Sequence, residues 1–285
     1  MQTIHEIDPL RSVVDTMRGD GRVALVPTMG ALHEGHLTLV REATRLAKSV
    51  VVSIFVNPRQ FGAGEDLDAY PRRLAEDAAL LAAEKVALLW APTGNAMYPE
   101  GYATNVSVSG VSQGLCGGAR PGHFDGVATV VCKLFNQVRP DIAVFGEKDW
   151  QQLAVIRRMA RDLDLVAPQP GNIVGVPTVR EADGLAMSSR NAYLSPEQRK
   201  QAAALPRAME EAVREIESGD NISRALARLA YRLTENGFTS VDYAELRDAE
   251  TLLRVGESRG GAARLLVAAR IGGTRLIDNL AVAPA

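Results

Sequence analysis

Short apolar runs alternate with stretches of helical periodicity over the first two-thirds of this 285-residue chain. "RVALV" (22–26) is brief, rich in β-branched residues and nearly all apolar, as a strand buried on both faces should be. In "HLTLVREATRLA", Leu37, Val40, Ala43 and Ala47 fall on one face at helical spacing. "SVVVSIFVN" (49–57), "VALLWAP" (86–92) and "DIAVFG" (141–146) read as further buried strands, and "TNVSVSG" (104–110) as a short one. Helices are expected at "LAEDAALLAAE" (74–84), "VATVVCKLFNQV" (127–138) and "DWQQLAVIRRMARDL" (149–163). This alternation predicts an α/β fold, a parallel sheet with helices on both faces. Ligands of such sheets bind outside the carboxyl ends of the strands.

The pattern changes near residue 176. "SPEQ" (195–198) has the form of a capping box, with Ser195 as N-cap, Pro196 in the first turn and Gln198 three residues on. One long helix to about 217 should follow, then another from Asn221 to Asn236, stopped by Gly237. "SVDYAELRD" (240–248) and "ARLLVAARIGGTRLIDNLAV" (263–282) read as strands, the second split into a hairpin at Gly272 and Gly273. The expected division is therefore residues 1–175 and a smaller α+β domain, 176–285.

A formal charge of −2 argues against a nucleic-acid-binding surface, which needs an excess of Lys and Arg. Cys116 and Cys132 are the only cysteines, form no CxxC pair and follow no signal peptide, which points to a reducing, cytoplasmic setting. The longest apolar run, "VVVSIFV" (50–56), is too short to span a bilayer, so no membrane partner is expected.

The chemistry concentrates in "TMGALHEGHLTLV" (28–40), which holds two of the four histidines just past a strand end. A zincin motif would place them at i and i+4, whereas His33 and His36 stand at i and i+3; a metal site would need distant His123 as well. Histidines satisfied as scaffold are a second reading, and the natural one for His5. Nucleotide binding is the third. Free N–H groups at a helix start attract phosphate, Gly35 leaves room for close approach, and imidazoles can donate to phosphate oxygens. "GEKDWQQL" (146–153) adds Lys148 past another strand end, and "MSSR" (187–190) adds two hydroxyls and a guanidinium.

With these residues in place the chain resembles the pantoate–β-alanine ligase family, the pantothenate synthetases. The resemblance rests on "PTMGALHEGHLTLV", "SIFVNPRQFGAGEDLDAYPR", "RPGHFDGV", "RPDIAVFGEKDWQQL", "GVPTVREADGLAMSSRN" and "LLVAAR…TRLIDN". They follow one another over nearly the whole chain, a match much narrower than the wider HxGH nucleotidyltransferase superfamily. The resemblance implies a Rossmann-type N-terminal domain, a smaller C-terminal lid domain, a homodimer, and ligation of pantoate to β-alanine with ATP and Mg²⁺ through pantoyl adenylate.

By matching motif, Met29, Gly30, Ala31, Leu32, His33, Glu34, Gly35 and His36 would bind ATP, with His36 the proton donor and His33 its companion. Gly146, Glu147, Lys148 and Asp149 would hold the nucleotide, Lys148 on phosphate. Val179 would meet adenine, and Met187, Ser188, Ser189 and Arg190 would cover the triphosphate. Gln60 and Gln152 would hold pantoate, Gln60 also lying against β-alanine. Arg120 would border the site. Asp77 matches an acidic position near Mg²⁺, although Glu76 and Asp77 also suit the wet face of an amphipathic helix. The loop at 62–70 and the C-terminal domain are the lid candidates. Cys116 stands where a glutamate is common, implying a lost acidic contact, and "APQPGN" (167–172) reads as a surface insertion. The rivals are another HxGH nucleotidyltransferase acting on a phosphorylated acceptor, a metal-dependent hydrolase and a nucleotide-sensing module.

Overall fold

A computed structural model describes residues 1–62, 64–256 and 261–284. Six strands, β1 (Gln2–Ile4), β2 (Val23–Thr28), β3 (Ser49–Ile54), β4 (Leu88–Trp90), β5 (Ile142–Gly146) and β6 (Ile173–Val176), form one parallel sheet in the order β1-β4-β3-β2-β5-β6. Their side chains alternate between two cores. Val23, Leu25, Val51, Leu88 and Trp90 face the helices Ile7–Asp20, His123–Val138 and Trp150–Asp162. Ala24, Val26, Val50, Val52 and Leu89 face Glu34–Leu46 and Leu74–Ala83. Burial on both faces is why these strands carry no polar alternation.

Beyond β6 a second sheet forms from β7 (Ser240–Asp248), β8 (Ala263–Ile271) and β9 (Thr274–Val282), all antiparallel. Ala204–Glu217 and Ile222–Glu235 pack on it around a separate apolar cluster that includes Met209, Leu229 and Leu265. Gly272, at φ +54°, makes the hairpin turn between β8 and β9. Among the described residues no helix is long and apolar enough to cross a membrane.

Two expectations are corrected. The segment 104–110 forms no strand; its Val106 N–H donates to Thr129 Oγ1 at 2.9 Å, a side chain of the neighbouring helix, instead of to a ladder. The long helix after Ser195 is two helices, Pro196–Ala202 and Ala204–Glu217. Pro206 lacks an N–H and its ring crowds the carbonyl four residues back, so the chain bends at Ala203. The capping box itself is present: Ser195 Oγ accepts from the Gln198 N–H at 3.2 Å, and Gln198 Oε1 from the Ser195 N–H at 3.0 Å.

Candidate active site

The strand order reverses between β2 and β5, the crevice where open α/β sheets take their ligands. Both motif loops issue from it, "TMGALHEGH" from β2 and "GEKD" from β5. The first loop turns at Gly30 and Ala31, both with positive φ, +82° and +51°. Asp77 holds the turn from the helix Leu74–Ala83. Its carboxylate accepts the N–H groups of Ala31 and Leu32, each at 2.8 Å, and only 2% of the residue is exposed. The wet-face reading therefore fails for Asp77 and holds for Glu76, whose side chain is 70% exposed. A Cβ at Gly30 would stand 2.9 Å from Asp77 Oδ2, so the turn and the carboxylate require each other.

The histidine pair forms a cap. His33 is the N-cap of Glu34–Leu46, and its Nδ1 accepts the Gly35 N–H at 3.1 Å. The His33 N–H in turn donates to His36 Nδ1 at 3.3 Å. A nitrogen that accepts from an amide carries no proton, so each ring is neutral with its hydrogen on Nε2. Burial, with Lys148 next, lowers the His33 pKa to about 4; burial, then His33 and Lys148, lowers that of His36 to about 3. The ring centroids are 4.1 Å apart. Gly35 is required by the rings themselves: a Cβ there would lie 2.9 Å from His33 Cε1 and 3.0 Å from its Nδ1. The missing Cβ at Gly35 makes room for an imidazole, and the glycine itself also lines the cavity.

These residues open on a cavity of about 220 Å³. Its polar wall is Met29, His33, Gly35, His36, Gln60 and, from the second loop, Gly146, Lys148, Asp149 and Gln152. Val179 and Met187–Arg190 close the opposite side. A larger cleft of about 440 Å³ adjoins it, sharing Lys148, Asp149, Gln152, Ser188 and Arg190 and running on to Arg120 and β9. Other expected contacts lie off the walls of both. Glu34 pairs with Arg41, Glu147 reaches Arg264 at 3.4 Å, and Gly30, Ala31 and Leu32 form the turn behind the cavity. Gln151 and Gln152 part company: Gln151 is buried on the Cys116 N–H and on the carbonyls of Val111 and Gly114, while Gln152 faces both cavities.

Ala63 of the expected 62–70 lid lies outside the described residues; Glu65 and Asp66 tie the loop to the cleft through ion pairs with Arg120 at 2.5 Å and Arg190 at 2.9 Å. The hydrogen bonds from Arg120 hold the Glu65 carboxyl down at about 2. Arg120 also donates to His123 Nε2 at 3.0 Å, so the His123 Nδ1–H must donate to the Gln60 carbonyl at 2.8 Å. Cys116 lies 3.1 Å from Tyr243 Oη and 3.5 Å from Arg275, whose carboxylate partner is Asp242 at 2.7 Å.

Sequence reasoning missed the apolar wall, Phe55, Val127, Val130, Val131, Leu134 and Phe145, which gives the cavity its low dielectric. A helix face at residues 127–134 reads equally well as core. It also missed Asn57, buried at 1% exposure and bonded to the Gln60 amide. Its one signal was an asparagine before a proline at a strand end.

A nucleotide-binding α/β enzyme of the HxGH kind is what this geometry defines: a helix start capped by two imidazoles at the switch point of a parallel sheet, faced by an ammonium. The model of the pantoate-beta-alanine ligase family matches residues 2–281, and the chain belongs to that family, whose members ligate pantoate and β-alanine. It is 68% identical to the pantothenate synthetase of Novosphingobium aromaticivorans, with both chains covered completely. Identity to that of Sphingopyxis alaskensis is 60%, over 99% of this chain and 100% of the relative. The pantothenate synthetase structure from Thermus thermophilus superposes with a TM-score of 0.92 at 48% identity, covering 100% of each chain. The ligase from Francisella tularensis, complexed with beta-gamma ATP and beta-alanine, gives 0.83 at 31% identity over 98% of this chain and 97% of that one.

Proposed function

We propose that the two cavities form one active site, which joins pantoate to β-alanine in two steps on ATP. In the first, a pantoate carboxylate oxygen attacks the α-phosphorus, and the bond to the bridging oxygen breaks to release pyrophosphate. In the second, the β-alanine amine attacks the acyl carbon, and the C–O bond to phosphate breaks to release AMP.

The observation that carries this reading is the tautomer of the histidine pair. Each Nδ1 is occupied by a backbone N–H, so each Nε2–H remains to donate, on a wall shared with Lys148. Charge gathering on phosphate oxygens in the transition state would meet two fixed dipoles and an ammonium. A neutral imidazole of this kind donates a hydrogen bond and keeps its proton, which makes His36 an electrostatic stabiliser rather than a general acid. Arg190 and the hydroxyls of Ser188 and Ser189 cover the triphosphate, Val179 meets the adenine, and the backbone from Met29 to His36 frames the nucleotide. Gln60 and Gln152 bind pantoate without an opposing charge, leaving its carboxylate nucleophilic, and Gln60 borders the β-alanine position. An acceptor bearing phosphate would call for cations where these glutamines stand.

Among the described residues no group of three or more His, Cys, Asp or Glu side chains is placed to hold a metal ion, and both Asp77 oxygens are taken by backbone N–H groups. Mg²⁺ would enter with the triphosphate and would supply positive charge against its oxygens. The 62–70 loop and the residues after 176 close over the adenylate and keep water from it, and the separate apolar cluster of the second sheet supports a domain boundary there. The family resemblance supports a homodimer in the cytoplasm. The decisive experiment is pyrophosphate release from ATP and pantoate alone. A burst of pyrophosphate is expected without β-alanine; release that depends strictly on β-alanine would remove the adenylate step. Gln152→Ala should chiefly weaken pantoate binding, read from pantoate KM against ATP KM.

A further inference from the structure

Gln60 can be turned two ways in its site, presenting either an oxygen or an NH₂ group, and the surrounding bonds decide which. Two backbone groups beside it have fixed roles. The Arg59 N–H can only donate, and it meets Asn57 Oδ1 at 3.3 Å; the Gly126 carbonyl can only accept, and it meets Asn57 Nδ2 at 3.1 Å. The polarity of the Asn57 amide follows. Its remaining N–H must donate to Gln60 Oε1, 3.1 Å away, and Gln60 Nε2 is left facing the cavity beside the Met29 sulfur at 2.9 Å. A thioether is a weak acceptor that a substrate oxygen would readily replace.

The second lone pair of Asn57 Oδ1 is taken by Tyr98, whose hydroxyl lies 2.9 Å away and must donate to it. Burial pushes the Tyr98 pKa up to about 12, so the hydroxyl keeps that proton at neutral pH. Gly126 makes the approach possible: a Cβ there would stand 2.2 Å from the Arg59 carbonyl and 2.7 Å from the Gln60 nitrogen. Helix His123–Val138 therefore lies against the turn carrying Asn57 and Gln60 with no side chain between them.

We propose that Tyr98 is a positioning residue, acting through Asn57 to hold the Gln60 amide with its NH₂ group toward the acid substrate. The proposal rests on Gln60 as a pantoate-binding residue. At that point the site takes an oxygen with a free lone pair and rejects a group that can only donate.

Pantoate KM and ATP KM, measured for Tyr98→Phe, Asn57→Ala, Asn57→Asp and Gln60→Ala, test it. Tyr98→Phe should raise pantoate KM about fivefold, the worth of one net hydrogen bond, and leave ATP KM within twofold. Asn57→Asp should raise pantoate KM further than Asn57→Ala, because a carboxylate forces the Gln60 amide to reverse while alanine merely frees it. A simple packing role predicts the opposite order. Asn57→Asp no worse than Asn57→Ala, with Gln60→Ala still impairing pantoate, would overturn the relay and leave the site intact. Gln60→Ala with unchanged pantoate KM would overturn the assignment of Gln60 itself. Should Asn57→Asp fail to fold, Tyr98→Phe decides alone: pantoate and ATP KM moving together, or neither moving, overturns the relay.

Discussion

Histidine is an unusual N-cap, and here two of them do the work that serine and glutamine do in the capping box at residues 195–198. The exchange has a chemical consequence: a hydroxyl used as a cap has little left to offer, whereas an imidazole still carries an N–H on its far side. Gly35→Ala drives a methyl group into the His33 ring, so the cap should be lost at a cost of about 1 kcal/mol, with activity falling at least tenfold. Thermal melts and steady-state rates would check both. The pH dependence has a definite sign. His33, His36 and His123 bind protons in the folded state only near pH 4 or below, against 6.5 for an ordinary imidazole. The unfolded chain therefore takes up more protons between these limits, and stability should decline as pH falls from 6.5 towards 4. NMR titration of the imidazole carbons should find His33 and His36 neutral at pH 6; a midpoint near 6.5 for either would refute the cap geometry. The pairing of the two rings was legible from their spacing. The cap was not, because nothing in "HEGH" reveals which nitrogen meets the backbone.

At the scale of elements, periodicity located the central strands and the long helices, because burial on two faces leaves an unbroken apolar run. It passed over β1 and β6, the short strands at the two edges of the sheet. It also joined two helices that Pro206 separates, and took 104–110 for a strand because Val106 and Val108 alternate with polar residues. Asp77 illustrates a different limit. An acidic residue in the first turn of a helix is ordinary in sequence, and only the tertiary structure brings the β2 loop onto its carboxylate. Asp77→Ala would leave two N–H groups without acceptors, at about 1–3 kcal/mol each. The expected result is a lower melting temperature and a raised ATP KM, with the Mg²⁺ concentration for half-maximal rate unchanged. A large shift in that Mg²⁺ requirement would instead place Asp77 at the metal.

Across the whole molecule, β9 joins the two sheets at the site. Asn279 Nδ2 donates to the carbonyls of Glu147 at 3.0 Å and Lys148 at 2.9 Å, fixing the loop that carries the ammonium. One residue earlier, Asp278 accepts both arms of Arg180 at 2.7 and 2.9 Å, its side chain wholly buried. Arg180 pairs with Ala186 across the small hairpin between Val179 and Met187, so this ion pair sets the far wall of the nucleotide cavity. Neighbouring residues of one strand thus govern both sides of the cleft. Asp278→Ala would strand a half-buried guanidinium, with an expected loss of about 2 kcal/mol. Because that guanidinium anchors the hairpin rather than the glutamines, ATP KM should rise by an order of magnitude while pantoate KM changes little. Isothermal titration with a non-hydrolysable ATP analogue, then with pantoate, separates the two. Equal weakening of both ligands would mean that the strand supports the cleft as a whole, and that the hairpin has no separate hold on the nucleotide.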